Sequence, residues 1–232
     1  MTLSLRIVAA LALGCFLVPV LVIETRGQEK PAEPAWKALF DGKTLTGWKS
    51  TPFVGEGKVS IKEGAIRMEK GKKLTGVTYA RADFPKTDYE VEIEARKIEG
   101  GDFFATTTFP VADQFASFVV GGWGGTLVGL SSINGSDASE NGMSKNITFE
   151  EGKWYKLRVK VGKVRLQCFV DQEKIIDLDT TDLRLNLRFE MFPARPFGIA
   201  TYDTIGEVRA IKVRGLADRE KKELAQPIKE GN

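Results

Sequence analysis

WYKLRVKVGKVRLQCFV, residues 154–170, decides the fold. Tyr155, Leu157, Val159 and Val161 alternate with Trp154, Lys156, Arg158 and Lys160, a period of two that belongs to a half-buried strand and not to a helix. Gly162-Lys163 supplies a tight turn, and residues 164–170 return as the antiparallel partner. Asp171-Gln172-Glu173 then turns the chain into residues 174–178, which makes a meander of three strands.

The same period continues outward on both sides. Further strands are expected at 64–68, 77–81, 89–97, 103–109, 115–120, 126–130, 185–189, 197–201 and 208–213, between glycine and Asp/Asn turns. About a dozen strands with one polar face each, and no helical period among them, predict two antiparallel sheets packed face to face over residues 36–216. An all-β jelly-roll sandwich fits best. No repeat of ~40 residues is visible, which argues against a propeller.

The ends read differently. Residues 1–6 are short and polar with one cation, and residues 7–23 are unbroken apolar sequence, so residues 1–27 read as an export signal cut after Thr25-Arg26-Gly27. An uncut anchor is the alternative, and it is the only membrane contact expected; Leu13-Gly14-Cys15 is a weaker alternative, a lipoprotein cut site. The expected location is therefore periplasmic, cell-envelope or extracellular. Residues 28–35, with Pro31 and Pro34, form a linker, and the charged stretch 217–232 reads as a solvated tail with two helical turns before Pro227.

Composition excludes several chemistries. The chain has no histidine, which removes Ser-His-Asp triads, Cys-His dyads and histidine metal sites. Once the signal is removed, Cys168 is the only cysteine, so no internal disulfide is expected and the core alone must hold the domain. A net charge of +3 with no long block of one sign gives no nucleic-acid footprint.

Trp36-Lys-Ala-Leu-Phe-Asp-Gly-Lys-Thr-Leu-Thr-Gly-Trp48 resembles the opening signature of the 3-keto-disaccharide hydrolase domain family, formerly a domain of unknown function. Residues 62–66, 89–94, 154–159, 195–199 and 208–213 fall where that family would place them. The resemblance implies a concanavalin A-like jelly roll, exported by a bacterium, that hydrolyses or binds carbohydrate, with disaccharides oxidised at carbon 3 as the family's substrates. The motif itself is architectural: Asp41-Gly42 makes a turn, and Leu39, Phe40, Leu45 and Trp48 pack. This chain also departs from the family. Gly101 to Thr108 lacks an arginine that the corresponding strand commonly carries, Gly198 to Asp203 lacks the histidine, and residues 118–125 replace the middle strand.

Two regions supply candidate chemistry. In YEVEIEA, residues 89–95, Glu90, Glu92 and Glu94 share one strand face at ~6.7 Å intervals, near the ~5.5 Å separation of a retaining glycosidase. The stretch is similar to the Glu-x-Asp-x-Glu strand of jelly-roll β-glucanases, which implies catalytic roles for Glu90 and Glu94. A solvated strand face with Lys or Arg across from each glutamate gives the same pattern. The second region is Gly121-Gly-Trp-Gly-Gly125, whose glycines leave the Trp123 indole free to meet a sugar face. The following loop offers Asn134, Asp137, Ser139, Glu140 and Asn141 to sugar hydroxyls. Trp123 packed under the sheet beside a merely solvated loop is the bland alternative.

Asp102, Thr106 and Thr108 alternate on one strand face and Arg188 and Glu190 near the end, and both sets are expected to line the concave sheet. Asp102, Asp137, Glu140, Glu90 and Glu94 are the candidate acid/base residues, and Trp123, Asn134, Ser139, Asn141, Thr106, Tyr202 and Arg188 the candidate saccharide contacts. No cofactor is required, although Asp137, Glu140 and Asn141 have the oxygen chemistry of a Ca²⁺ site. Three functions stay open: an exported hydrolase of glycosidic bonds in 3-keto-disaccharides or glucans; a non-catalytic, lectin-like glycan-binding sandwich; and a structural or cell-envelope interaction domain with no small ligand.

Overall fold

The computed structural model describes residues 33–228, so the expected export signal and most of the linker lie outside the described residues. Fifteen strands are present among them: β1 (Lys37–Ala38), β2 (Trp48–Ser50), β3 (Val59–Lys62), β4 (Ala65–Met68), β5 (Leu74–Tyr79), β6 (Tyr89–Gly100), β7 (Thr106–Val111), β8 (Gln114–Gly121), β9 (Leu127–Ser131), β10 (Ser144–Asn146), β11 (Tyr155–Val161), β12 (Arg165–Val170), β13 (Glu173–Asp179), β14 (Gly198–Tyr202) and β15 (Thr204–Gly215). They form two antiparallel sheets. The back sheet runs β13-β12-β11-β6-β15-β4-β3, with β1 also on β15; the groove sheet runs β10-β9-β8-β7-β14-β5-β2.

The 154–170 hairpin forms as β11 and β12, with Leu157 opposite Val170 and Val161 opposite Leu166. Its turn closes around Lys163 and Val164, one residue later than the glycine suggested, since Gly162 N–H bonds Arg165 O at 2.9 Å. Gly162 is needed for another reason: a Cβ there would lie 2.3 Å from that of Leu224 in the helix Asp218–Leu224. The expected solvated tail is therefore docked. Leu224 is buried, and Glu220 accepts hydrogen bonds from Lys160 (2.5 Å), Arg214 and the Ala217 backbone (2.9 Å).

Tyr89, Val91 and Ile93 of β6 face Phe109, Phe118 and Leu130 of the groove sheet across one continuous apolar core. Phe84 and Phe197 stack within it at 4.3 Å, and Trp48 meets Tyr79 edge-on at 5.4 Å. The opening motif performs the architectural work expected. Asp41 Oδ1 accepts the backbone N–H groups of Lys43 (2.8 Å) and Thr44 (2.7 Å), its turn continues through Gly42 at φ 75°, and the Trp48 indole N–H bonds Leu39 O at 2.8 Å. Those donors to Asp41 hold its carboxyl down at about 2.

Residues 185–189 do not form the expected strand. Leu185 makes a single bridge to Ile133, and Phe189–Ala194 is a 3-10 helix whose Met191 and Ala194, three apart, turn inward together. They pack with Phe53, Leu74, Leu187 and Ala200 in a second apolar cluster on the outer face of the groove sheet. This cluster makes one wall of the site.

Candidate functional site

Alternation on the groove sheet sends Phe109, Phe118, Val120 and Leu130 into the core and leaves Thr106, Ser117, Val119 and Ser131 on the opposite face. Those four form the floor of a groove of about 750 Å³. Phe53, Leu74 and Met191 wall one side; Asp102, Phe103, Trp123 and Tyr202 stand at the ends of β7, β8 and β14. A mostly apolar hollow with a few fixed polar groups is what a pyranose ring requires.

Trp123 reaches the groove through an unusual turn. Its own φ is 47°, and Gly121, Gly124 and Gly125 have φ of 80°, 90° and 95°. Consecutive left-handed residues need glycines around them, and a bulky residue in that region is strained. Gly122 has a second constraint, since a Cβ there would lie 2.7 Å from Val119 Cγ1. The result is an indole 44% exposed at the groove mouth. Asp102 holds the turn from below: Oδ1 accepts Phe103 N–H at 2.8 Å and Oδ2 accepts Gly124 N–H at 3.4 Å.

The far end of the groove is set by charge-assisted bonds. Arg188 donates from Nε to Glu190 Oε1 at 2.6 Å and from its terminal nitrogen to Asp137 Oδ2. Asp137 Oδ1 in turn accepts the hydroxyls of Ser131 (3.2 Å) and Ser132 (3.1 Å). The bond to Glu190 raises the Arg188 pKa, so the guanidinium is a fixed cation.

Asp102, Thr106, Trp123, Tyr202 and Arg188 are thus brought to one groove, and Asp137 joins them through Arg188. The other candidates are placed elsewhere or are already engaged. Ser139 and Glu140 are exposed on the loop outside the groove lining, and exposed Asn134 gives its side-chain oxygen to the Arg184 N–H at 2.9 Å. Asn141 donates to Leu130 O at 2.7 Å and accepts from Met143 N–H at 3.0 Å. Of the suggested Ca²⁺ ligands, Asp137 is bonded to Arg188 and Asn141 to the backbone.

Glu90 and Glu94 lie on the outer face of the back sheet, across the core from the groove. Register places Lys160 and Arg214 beside Glu90, and Lys156 and Arg209 beside Glu94. Glu90 pairs with Arg158 (3.4 Å) and with Arg214, Glu92 with Lys212 (2.9 Å), and Glu94 with Arg209 (2.7 Å). These carboxylates balance a row of cations and have no access to the groove.

Sequence reasoning missed Lys73, Phe189, Ser117 and Ser131 in the groove lining, whereas Glu190, expected beside Arg188 on the concave sheet, is there. Ser117 and Ser131 carried a signal, since each interrupts an apolar strand on the face opposite Phe118 and Leu130. Phe189 was obscured by the mistaken strand.

The model of the 3-keto-alpha-glucoside-1,2-lyase-like domain matches residues 35–214. This chain belongs to that family. It is the family to which the Trp36 to Trp48 motif pointed, and the match covers both sheets and the groove. No curated protein shows a significant sequence match. Among solved structures, domain 4 of AbnA, a GH43 extracellular arabinanase from Geobacillus stearothermophilus in complex with arabinotriose, is similar at 14% identity and TM-score 0.52, over 84% of this chain and 100% of that one. The Crh5 transglycosylase in complex with NAG is similar at 12% identity and TM-score 0.53, over 81% and 85%. The exoplasmic/lumenal domain of VIP36, in its Ca²⁺/Man3GlcNAc-bound form, is similar at 16% identity and TM-score 0.51, over 77% and 89%. These likenesses establish a concanavalin A-like jelly-roll sandwich, and the family makes this a carbohydrate-related domain.

Proposed function

We propose that this is an exported carbohydrate-active protein whose groove takes a short saccharide onto the Trp123 face and breaks the C1–O bond of a 3-keto-glucoside. The observation that carries the reading is the exposed indole, held in a strained turn directly above Asp102. A ketone at C3 acidifies the hydrogen on C2. Removing that proton pushes charge onto the C3 oxygen, and its return forms a C1=C2 bond as the C1 oxygen leaves and takes up a proton. Such an elimination needs one base and one electrophilic group at the ketone, whereas glycoside hydrolysis needs two carboxylates placed across the bond. The groove favours the first arrangement. Asp102 is assigned as base and Lys73, which makes no salt bridge among the described residues, as the cation near the ketone, while Glu190 is already paired with Arg188.

A second reading, non-catalytic glycan binding, is favoured by one feature: both Asp102 oxygens accept backbone N–H groups, a task that supports the Trp123 turn without chemistry. The two readings separate by experiment. The chain is incubated with 3-keto-trehalose, 3-keto-sucrose and a β-glucan, and product is followed by the absorbance of the conjugated enone and by reducing sugar. Enone formation lost in Asp102→Asn supports elimination; reducing sugar without enone means hydrolysis. Binding without product leaves the lectin reading. Trp123→Ala is expected to weaken binding about tenfold, the scale of one lost aromatic contact. No binding of any saccharide by the unaltered chain overturns both.

A further inference from the structure

Two buried polar atoms in the groove have no hydrogen-bond partner among the described residues: Thr106 Oγ1 and Glu190 Oε2. Thr106 is 2% exposed, on the floor. Buried hydroxyls and carboxylate oxygens are nearly always satisfied, so an orphan facing a groove marks a position for a ligand atom. The two orphans differ in character. Glu190 Oε1 is held by Arg188, itself anchored through Asp137 to Ser131 and Ser132, so a chain of bonds fixes the carboxylate in the groove lining while Oε2 stays unpaired. A carboxylate oxygen only accepts, so its partner must donate; a threonine hydroxyl does either.

We infer that Thr106 and Glu190 are the hydroxyl-reading residues of the groove, gripping free hydroxyls of one neutral sugar ring, with Glu190 selecting against a ring that presents an anion there. The inference rests on the saccharide reading above and adds its polar specificity. Arg188 acts through Glu190 as a positioning residue. Phe189, 81% exposed beside Glu190, gives that ring an apolar wall.

The test uses the full chain with 3-keto-trehalose as probe, measured by titration calorimetry, beside the variants Thr106→Val, Thr106→Ser and Glu190→Gln. Thr106→Val keeps the shape and removes the hydroxyl; Glu190→Gln replaces an acceptor by a donor. Each is expected to weaken binding about tenfold, the scale of one buried hydrogen bond to a ligand, while Thr106→Ser binds as the unaltered chain does. A structural role predicts the opposite sensitivity. Because its hydroxyl has no partner in the fold, Thr106→Val should leave the thermal midpoint unchanged or raise it. A panel of monodeoxy-3-keto-trehaloses completes the set: the analogue lacking the hydroxyl read by Thr106 should bind Thr106→Val and the unaltered chain equally. Affinity unchanged in both Thr106→Val and Glu190→Gln overturns this inference while leaving the groove intact. A lowered midpoint in Thr106→Val with no loss of affinity does the same. If the unaltered chain binds no saccharide, the groove reading itself fails and takes this inference with it.

Discussion

The outer faces of the two sheets are built from the same alternation and have opposite characters. On the back sheet, Glu90, Glu92 and Glu94 of β6 and Glu207 of β15 lie on the outer face and each has a cationic partner: Arg214, Lys212, Arg209 and, for Glu207, both Arg96 and, from β4, Arg67. Trp154 lies under Arg96 and Arg209, whose guanidinium carbons stand 4.5 and 4.0 Å from its ring centre. On the groove sheet the outward residues are Thr, Ser and Val, with an exposed indole and two polar atoms left unpaired. The lesson is that carboxylate density is a poor guide to a site when each carboxylate already has a cation. Unpaired polarity beside an exposed aromatic ring is a better one.

The largest effect should come from breaking the matched face. Glu207 is fully buried and pairs with Arg67 at 2.8 Å and Arg96 at 2.6 Å. Burial pushes its carboxyl pKa up, but the two guanidinium groups outweigh this and hold it below its ordinary value. Glu207→Ala is expected to cost about 3–5 kcal/mol in denaturant unfolding, since it strands Arg96 and leaves Arg67 with Glu69 alone, with groove binding unchanged in the surviving folded fraction. Binding lost in parallel with stability would mean that the faces are coupled. Next, Leu224→Ala should cost about 2–4 kcal/mol, since it empties a fully packed site over Gly162. A change below ~0.5 kcal/mol would restore the solvated tail.

Acid offers a third test. Burial pushes Glu220 up, yet the bonds from Arg214, Lys160 and Ala217 bring it to about 2, below its ordinary 4.5. A depressed carboxyl contributes stability above its unfolded pKa and loses it as pH falls through the folded one. Stability should therefore decline between pH 4.5 and 2, and Glu220→Gln should remove on the order of 1–2 kcal/mol of that decline. An unchanged pH profile would show the helix contacts to be superficial. Smallest of all, Glu94→Gln should cost under ~1 kcal/mol and leave any enone formation untouched, because its pair with Arg209 is partly exposed. Loss of product in this variant would return the glutamate strand to the site.

Much of the fold was legible because one face of most strands is apolar and the period is short. The β11-β12 hairpin, the β6 strand and the opening motif needed only local alternation and turn chemistry. The region 185–194 was not, since Leu185, Leu187 and Phe189 alternate like a strand while Pro193 and the spacing of Met191 and Ala194 favour a 3-10 turn. Trp123 was legible through its glycines. Lys73 was not, because a lone charge in a sequence does not reveal whether a partner of opposite sign lies beside it.

The sequence by itself determined the antiparallel sandwich, the architectural role of Asp41 and Trp48, and the exclusion of histidine chemistry, all properties of residue type and near neighbours. Only the tertiary structure decided which polar face became a groove. That choice depends on strands far apart in the chain: β15 brings Arg209, Lys212 and Arg214 to neutralise β6, while the Phe189–Ala194 turn covers part of the other sheet and leaves a groove with Thr106 in its floor and Trp123 exposed at its mouth.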